Sequence, residues 1–176
     1  MIEKFTFDLQ SPKIARKKLI LVKEDLETRI HVVLKLLAYL IYYEPRLKVE
    51  VSVGMHYKPD LVVEGDHGVP EVWIDCGYVQ VKKIESLTQK LKRTKIILLK
   101  ETKTELENVR RTLDKKLEEG AQLQFLAFDP GFVEGIAAGL QRSNEVTLYE
   151  VMENVVGFAL NDQVFESHLY FQKQSG

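Results

Sequence analysis

Two carboxylates, Asp60 and Asp75, stand in a stretch that reads strand, glycine-containing turn, strand (Tyr57 to Lys83, YKPDLVVEGDHGVPEVWIDCGYVQVKK). One acid opens the first strand and the other lies near the end of the second. Carboxylates brought together at strand ends supply the hard oxygen ligands that a divalent cation such as Mg2+ requires. Asp75 is the more informative of the two, because it interrupts an apolar strand and acids are seldom buried without a partner. Its plainer role is an ion pair with a neighbouring lysine. Asp60 follows Pro59 and reads equally as a turn-capping aspartate. Trp73 shares a face with Asp75, to shield it or simply to pack. His31, His56, His67 and His168 show no metal-ligand spacing, although His31 and His56 could approach the acids. Glycine-rich phosphate loops, G-x-S-x-G and HExxH are all absent from the sequence.

The elements that must position these acids follow from hydrophobic spacing. Residues 3–10 alternate, with Phe5 and Phe7 on one face, and pair antiparallel with a second strand over 17–23. A helix is expected over 24–43. Leu26, Ile30, Val33, Leu34, Leu37, Leu40 and Ile41 give it one apolar stripe, and Glu24, Asp25 and Glu27 crowd its first turns, where the dipole favours negative charge. Residues 47–53 alternate as a third strand. Strands over 60–64 and 71–76 then flank GDHG, and the two-residue period puts Glu71, Trp73, Asp75 and Gly77 on one face. Helical spacing returns over 82–93, and KIILL at 95–99 suits a strand buried on both faces.

Thr104 and Glu107 match a capping box for a helix burying Leu106, Val109, Leu113 and Leu117, with Gly120 as its stop. A strand over 122–128 follows, and Asp129-Pro130 is expected to open a helix reaching about Leu140. The remainder reads as strands over 145–151, 155–160 and 163–171, with turns at Glu153-Asn154 and Asn161-Asp162. Thr147 to Glu150 also fits a capping box, so a short helix there is an alternative. The expected fold class is α/β: a mixed, partly parallel sheet flanked by helices, with an N-terminal hairpin and C-terminal antiparallel strands added at its ends.

At 176 residues the chain suits a single domain, residues 1–176, with 45% hydrophobic and 29% charged residues as in soluble globular proteins. A net charge of -1 gives no global attraction to nucleic acid, so any phosphate contact must come from a local patch. Lys90, Lys92, Arg93 and Lys95 form the candidate patch, which otherwise reads as a solvated helix end. One cysteine, Cys76, excludes an internal disulfide, and no signal-like or membrane-spanning segment is evident; a cytoplasmic location is expected.

An amphipathic helix with early acids, Pro59-Asp60 at a strand start and Asp75 in an apolar strand resemble the PD-(D/E)XK nuclease superfamily, with its restriction-endonuclease-like core. More narrowly, KLLAYL in the first helix, Pro59-Asp60-Leu61 and Trp73-Ile74-Asp75-Cys76-Gly77 look like the corresponding segments of YaeQ-like proteins, and the resemblance covers most of the chain. It implies a metal-dependent nuclease or phosphodiesterase in which Asp60, Asp75 and the carbonyl of Cys76 hold Mg2+ (or Mn2+). Glu27, or else Glu24, is then the accessory acid. The superfamily places a lysine two residues after the second acid, where this chain has Gly77. Lys83, Lys82 or Lys90 is the implied replacement. The competing readings are a catalytically silent nucleic-acid- or protein-binding module on the same fold, and a role unrelated to phosphate.

Overall fold

The alternation of Phe5, Phe7 and Leu9 becomes strand β1 (Glu3–Ser11), with all three side chains buried. Strand β2 (Ile14–Lys23) runs antiparallel to it, Phe7 opposite Leu19. The computed structural model describes residues 1–118 and 120–174. The chain divides into two compact units: Met1–Tyr43 with Phe128–Leu169, and Glu44–Ala127 with the segment beginning at Tyr170. The whole is a mixed α/β fold, with two mixed sheets and four α-helices among the described residues.

In the first unit β8 (Ser143–Met152), β9 (Val155–Leu160) and β10 (Gln163–His168) form an antiparallel meander. Asn154 and Asn161 take left-handed φ values of 57° and 53° at its two turns, a conformation asparagine tolerates. The sheet order is β10-β9-β8-β1-β2. Hairpin and meander are thus not separate additions. They join through a parallel β1–β8 pair, with Phe7 opposite Asn144. Residues 147–150 lie in β8, which removes the short-helix alternative.

The long helix α1 is Arg29–Ile41, not 24–43. Thr28 caps it by accepting from the His31 N–H at 3.1 Å, and no acid stands in its first turn. The segment before it turns back on itself, Glu27 N–H reaching the Glu24 carbonyl at 3.1 Å, and Leu26 is 100% exposed rather than part of the apolar stripe. Every residue from Val32 to Leu40 is buried, so α1 is enclosed all round and carries Lys35 inward. Helix α4 (Phe132–Ala138) begins after Gly131 at φ 82°; Asp129 is not its cap, because its carboxylate accepts from the His168 N–H at 2.9 Å.

In the second unit β3 (Leu47–Val49) is cut short where Glu50 turns to φ 55°. Strands β4 (Leu61–Glu64) and β5 (Pro70–Cys76) are antiparallel, and β5 lies parallel to β6 (Lys95–Thr102) after the crossover helix α2 (Val81–Lys90). Helix α3 (Lys103–Asp114) is capped by Thr102, which accepts from the Glu105 N–H at 3.3 Å. Thr102-x-x-Glu105 has the same spacing as Thr104-x-x-Glu107, and the strand end decides between them. β7 (Leu123–Phe128) and β11 (Tyr170–Lys173) complete the order β11-β7-β6-β5-β4-β3. The expected strand 163–171 is therefore divided between two sheets. Trp73, Ile84, Leu87, Leu98, Leu106 and Phe125 anchor the core beneath the acids. Each such side chain contributes about 1.5–3 kcal/mol on full burial.

Candidate functional site

Asp60 immediately precedes β4, and Asp75 is the penultimate residue of β5. Because the two strands pair antiparallel, Leu61 opposite Ile74, the end of one meets the start of the other. The Asp60 N–H donates to the Ile74 carbonyl at 3.0 Å and lies 3.4 Å from Asp75 Oδ1. Asp60 Oδ2 accepts from the Cys76 N–H at 2.8 Å. The capping character of Asp60 is thus directed across to β5 and not only to its own turn.

Asp75 is 2% exposed. Its Oδ2 accepts from Trp73 Nε1 at 3.0 Å and pairs with the Lys83 ammonium at 2.9 Å. Burial pushes the Asp75 carboxyl above its ordinary range; the Lys83 charge opposes that, and the neighbouring Asp60 carboxylate adds to it. Lys83 lies in the first turn of α2, where no acid offsets the positive end of the dipole. Asp75 provides the missing negative charge. The ammonium also reaches the Lys58 carbonyl at 3.4 Å and lies 5.7 and 5.8 Å from the ring centres of Tyr57 and Trp73, which hold it by cation–π attraction.

Sequence reasoning missed Lys100. In the parallel register Asp75 faces Leu98, so Lys100, two residues on, shares the face of Asp75 and stands level with Gly77. It is 4% exposed, its ammonium donates to the Gly77 carbonyl, and burial holds its pKa below the ordinary lysine value. The available signal was a charged residue directly after the run KIILL. Without the register, that lysine had no address.

The other expected residues have their own settings. Glu27 belongs to the first unit. Its Oε1 pairs with Lys35 at 2.5 Å and His31 Nδ1 at 2.7 Å, and its Oε2 accepts from the Glu24 N–H at 3.1 Å. These partners hold its carboxyl down at about 2, against the cost of burial. His56 is exposed and packs edge-on against Tyr57, with ring centres 4.8 Å apart; His168 pairs with Asp129 at 2.9 Å. Lys82, Lys90, Lys92, Arg93 and Lys95 are exposed, and Lys92 lies 3.5 Å from Glu118. Lys95 pairs with Val72 in register, which places the 90–95 run about 10 Å down the strands from Asp75 at about 3.3 Å per residue. Among the described residues no helix is long and apolar enough to cross a membrane.

The model of the family described as YaeQ protein matches residues 8–168. The chain belongs to the YaeQ family. Its fold is that of the YaeQ protein of Xanthomonas axonopodis pv. citri, whose crystal structure it matches with a TM-score of 0.79 over 99% of this chain and 98% of that one, at 15% identity. The YaeQ crystal structure from Pseudomonas syringae gives 0.76 over 99% and 96%, at 19% identity. No curated protein sequence matches the chain.

Among the described residues no three His, Cys, Asp or Glu side chains gather as a metal cluster. Mg2+ does not need one, since it is commonly held by one or two carboxylates and keeps several waters. Asp60 and Asp75 are hard donors; burial is the main reason Asp75 is raised, and a cation would relieve the Asp60 repulsion that adds to it. In donor type the site fits such an ion, with the Lys83 ammonium as its competitor for Asp75.

Proposed function

We propose that this YaeQ-family chain is a metal-dependent phosphodiester hydrolase of the PD-(D/E)XK type, in which Lys83 supplies the ammonium that Gly77 lacks. The observation that carries this reading is the Lys83 ammonium 2.9 Å from Asp75, a carboxylate 2% exposed and crowded by Asp60. Asp60, Asp75 and the Cys76 carbonyl would hold Mg2+ or Mn2+. When bound, such an ion lowers the pKa of a water and polarises a phosphoryl oxygen. Trp73 fixes the orientation of Asp75. Lys83, steadied by Tyr57, Trp73 and the Lys58 carbonyl, places positive charge where phosphoryl oxygens gain negative charge. Glu27 is not needed in this arrangement, since Lys35 and His31 already engage its carboxylate.

Calorimetric titration with Mg2+ and Mn2+ should give heat for the wild type and none for Asp75→Ala. Cleavage assays on single-stranded, duplex and flapped DNA and on RNA then read turnover. Lys83→Met is expected to retain metal heat and lose about a hundredfold or more in rate, as when one positioned transition-state donor is removed. Absent metal heat, or activity indifferent to Asp60→Ala, refutes the assignment.

A second reading is a silent nucleic-acid- or protein-binding module. It is favoured by the fact that Asp75 Oδ2 is already satisfied by both Trp73 and Lys83. Metal or nucleic-acid binding without turnover on any of these substrates selects it.

A further inference from the structure

The turn between β5 and α2 is held from both sides. Gly77, at φ 76°, donates its N–H to the Leu99 carbonyl at 2.9 Å and accepts the Lys100 ammonium on its own carbonyl. The next residue, Tyr78, is 88% exposed. The anchored turn fixes the backbone from which Tyr78 projects, and its exposed ring offers a face on which a flat partner can stack. Further exposed groups belong to the segments that meet at the acid end of the sheet. Lys82 is one residue before Lys83, and Lys58 is brought in by its carbonyl's 3.4 Å contact with the Lys83 ammonium. His56 is exposed beside Tyr57. Basic groups interleaved with an exposed aromatic ring fit a strand whose bases are free to stack and whose phosphates pass beside them.

We infer that Tyr78, Lys58 and Lys82 form a rim that takes an unpaired nucleic-acid strand, Tyr78 stacking on a base and the two lysines meeting backbone phosphates. This rests on the proposed hydrolase reading and names its substrate class. It also moves the nucleic-acid contact from the 90–95 run to the end of the sheet that bears the acids. A duplex keeps its bases stacked on one another and leaves no face for Tyr78.

The test is fluorescence anisotropy in EDTA, using a labelled fifteen-nucleotide DNA strand and the same strand in duplex. Wild type should bind the single strand more tightly. Tyr78→Ala should weaken that binding by about five- to a hundred-and-sixtyfold, the span measured for base–aromatic stacking, while Tyr78→Phe restores it. Lys58→Ala and Lys82→Ala should each lower the slope of log affinity against log salt by about 0.7, and Lys90→Ala should not. Equal binding of both forms, no binding of either, or indifference to Tyr78→Ala overturns the inference. Hydrolysis of bis(4-nitrophenyl) phosphate, which has no nucleobase, reads the hydrolase proposal separately. A chain that cleaves it yet ignores the single strand keeps the hydrolase and loses the rim. Tyr78-dependent binding with no cleavage does the reverse.

Discussion

Each of the two units holds a lysine against a carboxylate, and the two pairs are electrostatically opposite. In the first unit Glu27 meets Lys35, which is 0% exposed, together with His31 and the Glu24 N–H. Its carboxyl is drawn down to about 2. In the second unit Asp75 meets Lys83 and Trp73, yet its carboxyl is raised, because it is buried and shares its space with Asp60. Glu27 has more favourable partners than one charge needs. Asp75 retains a charge that its surroundings only partly compensate. Strongly perturbed carboxyls occur in structural ion pairs as well as at functional sites; the proposed hydrolase rests on Asp75, and Glu27 serves as its structural counterpart.

The largest expected effect comes from the satisfied pair. Glu27→Ala removes the carboxylate that neutralises fully buried Lys35 and should cost about 3–5 kcal/mol by urea unfolding, as when one partner of a buried ion pair is deleted. A cost below about 1 kcal/mol would mean that the pair is not structural. Asp75→Ala leaves the buried Trp73 Nε1 without its acceptor, an expected loss of about 1–3 kcal/mol. Asp75→Asn keeps an acceptor and removes the strained charge, so about 1 kcal/mol or less is expected. If Asn cost as much as Ala, the Asp75 charge would be an asset and the contrast would fail.

Acid titration of stability sharpens the same contrast. The folded pKa of Glu27, about 2, lies below its ordinary 4.5, so its contribution is present above about pH 5 and is lost as the pH falls toward 2. Asp75 has the opposite sign. Its folded pKa lies above its ordinary 3.8, so protonation near and above that value favours the folded state. Urea midpoints followed from about pH 7 down to about 2.5 should fall less for Glu27→Gln than for wild type, and more for Asp75→Asn. Parallel profiles for the two variants would remove the distinction.

The strands and helices were legible because burial writes its period into the side chains. Phe5, Phe7 and Leu9 alternate on β1, and Ile84 and Leu87 follow helical spacing on α2. Boundaries were less legible where two local signals competed. Glu24, Asp25 and Leu26 looked like a helix start, but Thr28 provides the side chain that satisfies a first-turn N–H, and that contact sets the start of α1. Thr102 prevailed over Thr104 because β6 continues up to it. Sheet membership was not legible. Nothing local to Phe7 or Asn144 announces that they pair in parallel across most of the chain.

The candidate site divides in the same way. Sequence alone determined the residue types: two acids at strand ends, a tryptophan on the face of the second, Gly77 where a lysine was sought, and lysines in the helix after it. The shared face of Trp73, Asp75 and Gly77 follows from the two-residue strand period, a property of covalent geometry, and the lysine sought at Gly77 follows from the family resemblance. Only the tertiary structure decided which charges meet. The antiparallel register of β4 and β5 brings Asp60 to Asp75, the crossover through α2 returns Lys83 to Asp75, and the parallel register of β6 sets Lys100 over Gly77. Those contacts depend on hydrogen-bond registers between distant segments, and the pKa of each acid depends on the burial that those registers create.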